Sequence, residues 1–346
     1  MNENPRLNSL ATVTPRYKLI QSEVAKAAAG LFSKEYERFD RLLPVYTNAK
    51  IDSRSSCVPL DWYLEPHTFS ERNDLYIKNA LDLVEEAATL CIEGANLQPY
   101  DVGGLVIVSS TGVATPSLDA LLIERMKLRR EIRRLPVFGL GCAGGVLGLA
   151  RAAAMARSEP GMRVLFLVVE LCGLTFQKND LSKSNVIASA LFGDGAAGAI
   201  VSCHDKGPEI TGWGEYTWPN TLDVMGWDVS DEGLKVLFSR NIPKLIRNEM
   251  KSAVAKFLNG QNMCTDDIDA YVTHPGGTKV LDALEEVFGL LPGALVHARD
   301  VLRRYGNMSA ATVLFVLEQT LADQKGKFLM SSLGPGFTAG FMTLET

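Results

Sequence analysis

The segment from residue 136 to residue 146, PVFGLGCAGGV, constrains the fold more than any other stretch of the chain. Apolar residues lead into Gly141 and Cys142, two further glycines follow at once, and a long segment rich in alanine and leucine comes next. This order predicts a strand, a sharp turn and a helix that begins at or just after Cys142. The unpaired N–H groups and positive dipole at a helix start would lower the pKa of the Cys142 thiol and favour its nucleophilic thiolate. A small buried cysteine with only a packing role is the alternative.

The composition is that of a globular chain with no bulk attraction to nucleic acid. Its 346 residues are 47% hydrophobic and 22% charged, and the formal net charge is −5. The six cysteines form no C-x-x-C pair and no metal-ligand spacing with the four histidines. So few cysteines in a chain of this size indicate a cytoplasmic protein with reduced thiols. Residues 1–17 contain no apolar signal core, and no apolar run is long enough for a membrane span.

Alternating strand and helix patterns predict an α/β fold with a largely parallel sheet. Short apolar runs predict buried strands at 104–109 and 163–170. An amphipathic pattern predicts a helix over 72–93, with Ser70 as its cap. Further helices are expected over residues 21–32, 36–43, 245–258 and 278–288.

A weak internal repeat predicts two similar halves, residues 1–205 and residues 206–346. In the first half Gly141-Cys142 opens a helix that leads to a strand, and in the second half Gly306-Asn307 does the same. Two halves related by a pseudo-twofold axis would bring Cys142 and Asn307 close together.

Three polar residues, Cys142, His274 and Asn307, lie at predicted strand ends or helix starts among glycines, where α/β sheets bind ligands. A protonated His274 would hold Cys142 as the thiolate, and the imidazole and the Asn307 amide could together stabilise a developing oxyanion. This set suits capture of an acyl group followed by attack of an enolate. The alternatives are a histidine beside a Pro-Gly-Gly turn and an asparagine that only caps a helix.

Five stretches carry a resemblance to a known family: GCAGG at 141–145, LFGDGAA at 191–197, HPGG at 274–277, GNMSAA at 306–311 and GPGFTA at 334–339. On these stretches the chain resembles the type III polyketide synthases, the chalcone-synthase-like branch of the thiolase superfamily, over nearly its whole length. The resemblance implies a thiolase-like fold of two pseudo-repeated βαβαβ halves in five αβαβα layers. It also implies a homodimer whose substrates are CoA thioesters, with no metal and no nicotinamide.

The resemblance further implies roles for individual residues. Cys142 would carry the starter and the growing chain, while His274 and Asn307 would support decarboxylation of malonyl-CoA and bind the enolate oxygen. Phe192 matches a gatekeeping phenylalanine, and Val236 stands where plant members have a second one. The substrate-contacting residues implied in this way are Phe192, Thr111, Cys172, Thr175, Val236, Ser309, Gly334, Pro335, Gly336 and Arg54, the last as a candidate for the CoA diphosphate.

These features predict an acyltransferase that loads a medium-chain or long-chain fatty acyl-CoA on Cys142 and extends it with malonyl-CoA by decarboxylative Claisen condensation. Its product would be an alkylpyrone or an alkylresorcinol. Cys172 together with Thr111 resembles bacterial members that use long acyl chains or make naphthalene-type rings. The alternatives are a malonyl-CoA-primed tetrahydroxynaphthalene-type synthase, a ketoacyl-ACP synthase III-like enzyme and a catalytically silent subunit. The basic run at 125–134 is expected to be a solvated or interface helix face, with a CoA phosphate patch as the alternative.

Overall fold

A nine-stranded mixed sheet passes through the chain, which a computed structural model describes for residues 3–32, 39–159 and 161–346. The strands are β1 (Arg6–Val13), β2 (Tyr17–Ile20), β3 (Ser53–Ser56), β4 (Val102–Val108), β5 (Arg133–Val137), β6 (Arg163–Leu171), β7 (Asp194–Ser202), β8 (Glu209–Thr217), β9 (Met225–Ser230), β10 (Gly233–Phe238), β11 (Ala270–Thr273), β12 (Lys327–Gly334) and β13 (Thr338–Glu345). The sheet has the order β11-β12-β13-β8-β1-β7-β6-β4-β5, while β9 pairs with β10 and β2 with β3.

The α-helices of the described residues are α1 (Gln21–Phe32), α2 (Pro44–Asn48), α3 (Phe69–Gly94), α4 (Leu118–Met126), α5 (Gly144–Ser158), α6 (Lys183–Leu191), α7 (Ile242–Leu245), α8 (Lys251–Asn259), α9 (Thr278–Phe288), α10 (Val296–Tyr305) and α11 (Thr312–Asp323). A π-helical turn joins α7 to α8. Within this described set, no helix has the length and apolar character needed to cross a membrane.

The sheet consists of two halves that meet where β1 pairs with β8, at Arg6 and Glu209. The pairs β4–β5, β4–β6 and β11–β12 are parallel. The pairs that involve β1, β7, β8 and β13 are antiparallel, so the prediction of a largely parallel sheet was wrong. Strand β1 pairs with β7 and β8, and β8 with β13, across long distances in the sequence, so no local pattern indicates the direction of these pairs; β12 and β13 form a hairpin around residues 335–337.

Helices α5 and α11 form a buried layer between the two halves of the sheet. Both contact strands of each half, α5 through β6 and β13 and α11 through β7 and β11. Glycine allows them to approach closely, because a Cβ on Gly145 would lie 2.2 Å from the carbonyl oxygen of Ala310. These are the two helices that the internal repeat predicted, one after Cys142 and one after Asn307.

The outer layers complete the predicted αβαβα arrangement. Helix α3 covers β1, β6 and β7 on one side. On the other side α8 packs on β13, where the rings of Phe257 and Phe341 stack with centroids 5.3 Å apart. The predicted five-layer α/β fold is therefore confirmed.

Several predicted elements agree with the structure, and others need correction. Helices α1 and α9 have the predicted bounds. Helix α3 begins earlier than expected and its cap is Thr68, which forms a capping box with Glu71; Ser70 already lies inside the helix. Residues 36–38 of the helix predicted over 36–43 lie outside the described residues. The rest of this prediction was wrong, because residues 39–41 form a short 3₁₀ turn and residues 42–43 a turn.

Candidate active site

Cys142 lies on the turn that the glycines predicted. Gly141, Cys142 and Ala143 form a 3₁₀ turn, and α5 begins directly after it. Gly141 has a φ of +48°, and a Cβ at this position would lie 2.6 Å from Cδ of Pro335, so a larger residue would be strained there. The hydroxyl of Ser110 fixes the turn from behind, since it accepts hydrogen bonds from the N–H groups of Gly139 (3.2 Å) and Gly141 (3.3 Å).

His274 follows directly after β11 and is 4% exposed. Its backbone N–H donates to the carbonyl of Ser331 at 2.9 Å, which fixes the residue beside β12. Within the described part of the chain neither ring nitrogen has a hydrogen-bond partner. Burial lowers the pKa of His274 to about 3, so the imidazole is neutral near pH 7 and both of its nitrogens are available to a ligand.

Asn307 is held by its backbone and its side chain at the same time. Its N–H donates to the carbonyl of Leu191 at 2.8 Å, and its own carbonyl accepts from Gly193 at 3.0 Å. The Oδ1 atom accepts the N–H of Ser309 at 2.8 Å. This bond orients the amide with Nδ2 on the other side, where it makes a long 3.4 Å contact to the carbonyl of Gly276. The side chain thus presents a donor, as the oxyanion interpretation requires.

The three residues, which are far apart in the sequence, line one cavity. It encloses about 740 Å³ including its mouth, and its lining is otherwise mostly apolar. The lining residues are Cys142, Ile187, Leu191, Met225, Phe238, Ile242, His274, Gly276, Val280, Leu284, Asn307, Ser331, Ser332 and Leu333. We call this space the catalytic cavity.

The electrostatics of the catalytic cavity differ from the expectation of a preformed ion pair. Burial raises the pKa of the Cys142 thiol to about 12, the hydroxyl of Ser309 at 3.5 Å from Sγ lowers it, and the charge of Glu170 raises it further. The helix start does not offset this desolvation. Since His274 is also neutral, the predicted thiolate–imidazolium pair is replaced by a neutral thiol and a neutral imidazole.

A second cavity lies beside the first and is strongly apolar. It encloses about 660 Å³, and five of the predicted substrate-contacting residues line it: Arg54, Cys172, Thr175, Phe192 and Val236. Helix α1 supplies much of its remaining wall, including Val24, Leu31 and Phe32. We call this space the apolar cavity. Phe192 belongs to its lining, and the Phe192 ring meets that of Phe238 in the catalytic cavity at a centroid distance of 5.6 Å.

The other predicted residues lie around these cavities. Ser309 contacts Cys142 as described, whereas Thr111 is buried behind the site and accepts the N–H of Leu171 at 2.9 Å. Gly334 and Pro335 pack behind the Cys142 turn, since a Cβ on Gly334 would lie 2.3 Å from the carbonyl oxygen of Leu140, whereas Gly336 faces Thr217 and Thr338. The cavity wall next to this loop is formed by the preceding residues 331–333.

The structure supports neither Arg54 as a contact of the CoA diphosphate nor the alternative of a CoA phosphate patch at residues 125–134. Arg54 is 3% exposed, and its Nη1 donates to the carbonyl of Phe192 at 3.1 Å, so it faces the interior and not the diphosphate of a CoA at the surface. The arginines of the run 125–134 are each paired with a carboxylate, which disfavours the CoA phosphate patch. These pairs are Arg125 with Asp82 and Glu85, Arg129 with Glu131, Arg130 with Glu124, Arg133 with Glu159 and Arg134 with Asp119. The expectation of a helix face was wrong, because α4 ends at Met126 and the run continues through a turn into β5.

Sequence reasoning missed several residues that shape the site. Phe238 and Met225 come from the β9–β10 hairpin, where the sequence analysis predicted no strands. Glu170 is fully buried near Cys142 and Cys172, and burial raises the pKa of the Glu170 carboxyl to about 8. A charged residue at the end of the apolar run RVLFLVVE was the one available signal for it.

Comparisons with known proteins agree with this arrangement. The chain matches the family profiles of chalcone and stilbene synthases, with the N-terminal domain at residues 62–205 and the C-terminal domain at residues 214–345. It is 28% identical to the alpha-pyrone synthesis polyketide synthase-like Pks18 of Mycobacterium tuberculosis, over 98% of this chain and 90% of that protein. It is 35% identical to a 1,3,6,8-tetrahydroxynaphthalene synthase of Streptomyces peucetius, over 96% of this chain and 91% of that protein.

The fold is likewise that of a solved relative. The crystal structure of 1,3,6,8-tetrahydroxynaphthalene synthase from Streptomyces coelicolor, a bacterial type III polyketide synthase, superposes with a TM-score of 0.94 at 27% sequence identity. The match covers 99% of each chain, so both halves of the sheet and the layer between them are included.

Proposed function

The chain belongs to the chalcone and stilbene synthase family and is a type III polyketide synthase, and we propose that it extends a fatty acyl starter with malonyl-CoA. The starter is loaded on Cys142 from its CoA thioester. Malonyl-CoA then loses CO₂, and the resulting enolate attacks the thioester. The extended chain finally cyclises to an alkylpyrone or an alkylresorcinol.

The observation that carries this proposal is the shared lining of the catalytic cavity by Cys142, His274 and Asn307. In the loading step His274, neutral and without a partner in the described residues, accepts the thiol proton as Cys142 attacks the acyl carbonyl. CoA leaves with a proton returned by the imidazole. The neutral starting pair means that the charges form only as the acyl group is transferred.

In the condensation step the same imidazole and the Asn307 Nδ2 donate hydrogen bonds to the thioester oxygen of malonyl-CoA. As the bond to CO₂ breaks, its electron pair forms the enolate, and the negative charge develops on that oxygen. The enolate carbon then attacks the acyl carbonyl on Cys142, and the thiolate is released. An uncharged donor pair in a mostly apolar cavity stabilises this oxygen without adding water or a metal.

The apolar cavity supports a medium-chain or long-chain starter. Val236 and Cys172 leave space there, and α1 provides a hydrocarbon wall. Each methylene removed from water adds roughly 0.8 kcal/mol to binding, so burial of several methylenes in this cavity favours a fatty chain. The Phe192–Phe238 ring pair between the two cavities is the proposed passage for the tail.

A malonyl-primed synthase is the second candidate. The similarity to a tetrahydroxynaphthalene synthase at a TM-score of 0.94 favours it, because the backbone around the site is then compatible with that product as well. In both cases we expect CoA thioesters as the substrates, a homodimer as the working form, and neither a metal nor a nicotinamide.

The test is a starter series. Purified protein is incubated with ¹⁴C-malonyl-CoA and acyl-CoAs from two to sixteen carbons, and the products are identified by mass spectrometry. We expect the highest kcat/KM with a medium or long starter and a pyrone or resorcinol that retains its tail. Malonyl-CoA alone giving the main product would favour the naphthalene-type synthase. Absence of CO₂ release with every starter would overturn the proposed activity.

A further inference from the structure

Arg54 is an unusual component of the apolar cavity. It lies on β3, is 3% exposed, and contributes to a wall that is otherwise mainly hydrocarbon. Nη1 donates to the carbonyl of Phe192 at 3.1 Å, while Nε is buried with no partner in the part of the chain that is described. A buried guanidinium normally has most of its five N–H groups paired, because each unpaired donor loses its hydration without compensation.

The nearby carboxylate does not take up these donors. Asp194 is fully buried, and its two oxygens accept the N–H groups of Gly173 at 2.7 Å and Cys57 at 2.9 Å. No ion pair within 4 Å joins it to Arg54 among the described residues. Asp194 therefore balances the charge of Arg54 from a distance and accepts no hydrogen bond from the Arg54 guanidinium.

The remaining polar groups in the cavity wall are already satisfied by the protein. The amide of Asn185 donates to the carbonyls of Gln177 and Asp180 at 2.8 and 2.7 Å. The hydroxyl of Ser189 is paired with Tyr46, and that of Thr175 donates to the carbonyl of Cys172. Arg54 is thus the polar group of this lining with donors to spare.

The place of Arg54 determines which part of a substrate it meets. Its hydrogen bond holds the guanidinium at the backbone of Phe192, whose ring pairs with that of Phe238, and both Arg54 and Phe192 line the apolar cavity. An acyl chain that starts at Cys142 and passes these rings meets the guanidinium before it reaches the hydrocarbon wall of α1. A pure alkyl chain would displace water from the Arg54 guanidinium without offering its N–H groups a hydrogen-bond acceptor.

We infer that the apolar cavity receives acyl chains that carry an oxygen acceptor, a ketone or a carboxylate, beyond the ring pair, and that Arg54 binds this oxygen. The inference rests on the proposed function and narrows its substrate class. The oxygen can be supplied by the starter itself or by the keto groups that malonyl-CoA adds. Both sources present the same chemistry to the guanidinium.

The first experiment measures binding without turnover, in the Cys142→Ala background. Three CoA thioesters of equal length are compared by calorimetry: octanoyl-CoA, 7-oxooctanoyl-CoA and the ω-carboxy analogue suberyl-CoA. With Arg54 present we expect the oxygenated ligands to bind about tenfold more tightly than octanoyl-CoA, since a buried charged donor gains a partner. In Arg54→Met this ratio should fall to about one, and in Arg54→Lys it should be partly retained.

Val236→Leu is the matched control, because it alters the same wall without changing a donor. It should shift the three affinities together and leave their ratio unchanged. Equal affinities in the Arg54 protein itself would overturn the inference, even if Arg54→Met fails to fold. A ratio that survives in a folded Arg54→Met variant would also overturn it.

Turnover with intact Cys142 then separates the two sources of oxygen. If Arg54→Met lowers only the products primed by malonyl-CoA, the keto groups of the growing chain are the ligand. If it lowers only products from 7-oxooctanoyl-CoA and suberyl-CoA, the starter supplies the oxygen. If the oxygenated ligands bind more tightly than octanoyl-CoA but no condensation with malonyl-CoA occurs with any starter, the proposed function is refuted while the binding role of Arg54 is supported.

Discussion

The catalytic cavity and the apolar cavity share a wall but are built in opposite ways. The first takes its reactive groups from three short motifs, each fixed by backbone bonds, as with His274 on Ser331 and Asn307 on Leu191 and Gly193. The second is assembled from α1, β3, β10 and the segment after β6, with scattered contributions from side chains that no motif marks. Reaction chemistry is thus encoded locally, whereas the choice of acyl chain is distributed over the fold.

The two cavities also differ in how burial acts on them. In the catalytic cavity burial keeps Cys142 and His274 neutral until a substrate arrives. In the apolar cavity burial lowers the pKa of Arg54 only to about 10, so this group remains a cation near pH 7. The catalytic cavity can therefore develop charge during the reaction, while the apolar cavity holds the fixed charge to which we assign the binding of an acyl-chain oxygen.

The largest difference between the two cavities should appear when the cysteine of each one is replaced by alanine in a separate variant. Cys142→Ala should lower product formation by about 10³-fold or more, because the acyl thioester can no longer form. Cys172→Ala, an equally buried change in the apolar cavity, should retain activity within a few fold and alter chiefly the preference for starter length. Radiolabelled malonyl-CoA incorporation measures both. Similar losses in the two variants would show that the cavities are not functionally distinct.

Asn307→Asp should have the next largest effect. The Ser309 N–H would still hold one oxygen, but the donor Nδ2 would be replaced by an acceptor that repels the enolate oxygen. We expect malonyl-CoA decarboxylation to fall by about 10²-fold to 10³-fold, the range found when an oxyanion donor is removed. CO₂ release is the measurement. Asn220→Asp, an exposed change of the same kind, is the control and should leave the rate unchanged.

Val236→Phe tests the apolar cavity alone. The larger ring should occupy space that the tail needs, so kcat/KM for long starters should fall about tenfold while short starters are unaffected. Leu237→Phe, on the next residue of β10 and 41% exposed, is the matched control. A competition assay between hexanoyl-CoA and dodecanoyl-CoA reads the change directly. If long starters are used as before, the tail does not enter this cavity.

The difference between features encoded in short motifs and features distributed over the fold also explains what the sequence could predict. The strand–turn–helix around Cys142, the three catalytic candidates and the five-layer fold follow from short motifs and from the resemblance that they carry. Strand β1 was missed, because its alternation of partly buried polar residues gains meaning only between β7 and β8, which are far away in the sequence.

The electrostatic state of the site could not be predicted for a related reason. The helix start and the neighbouring histidine are local features, and they suggested a thiolate. Desolvation depends on everything that surrounds the sulfur, and that sum decided the outcome. Arg54 illustrates the same limit: its residue type suggested phosphate, while its burial on β3 beside Phe192 assigns it to the apolar cavity.

The charge of Glu170 acts on the thiols of Cys142 and Cys172, one in each cavity, and replacement of Glu170 should have the smallest effect on activity. Burial raises the pKa of Glu170 to about 8, and its charge raises the pKa of both Cys142 and Cys172. Above pH 8 the carboxylate ionises, so in Glu170→Gln the alkylation of Cys142 by iodoacetamide should shift to lower pH. Mass spectrometry of the Cys142 peptide against pH measures this shift, and an unchanged profile would contradict the coupling.

The same substitution makes a signed prediction for stability. A glutamate that retains its proton up to about pH 8 when folded, but releases it near 4.5 when unfolded, loses stability as the pH rises through that window. The glutamine side chain has no proton to lose, so the stability of Glu170→Gln relative to the parent should grow between these pH values by up to a few kcal/mol, at about 1.4 kcal/mol for each pKa unit. Denaturant unfolding at pH 5 and pH 8.5 measures the difference. A constant difference would contradict the raised pKa of Glu170 in the folded protein.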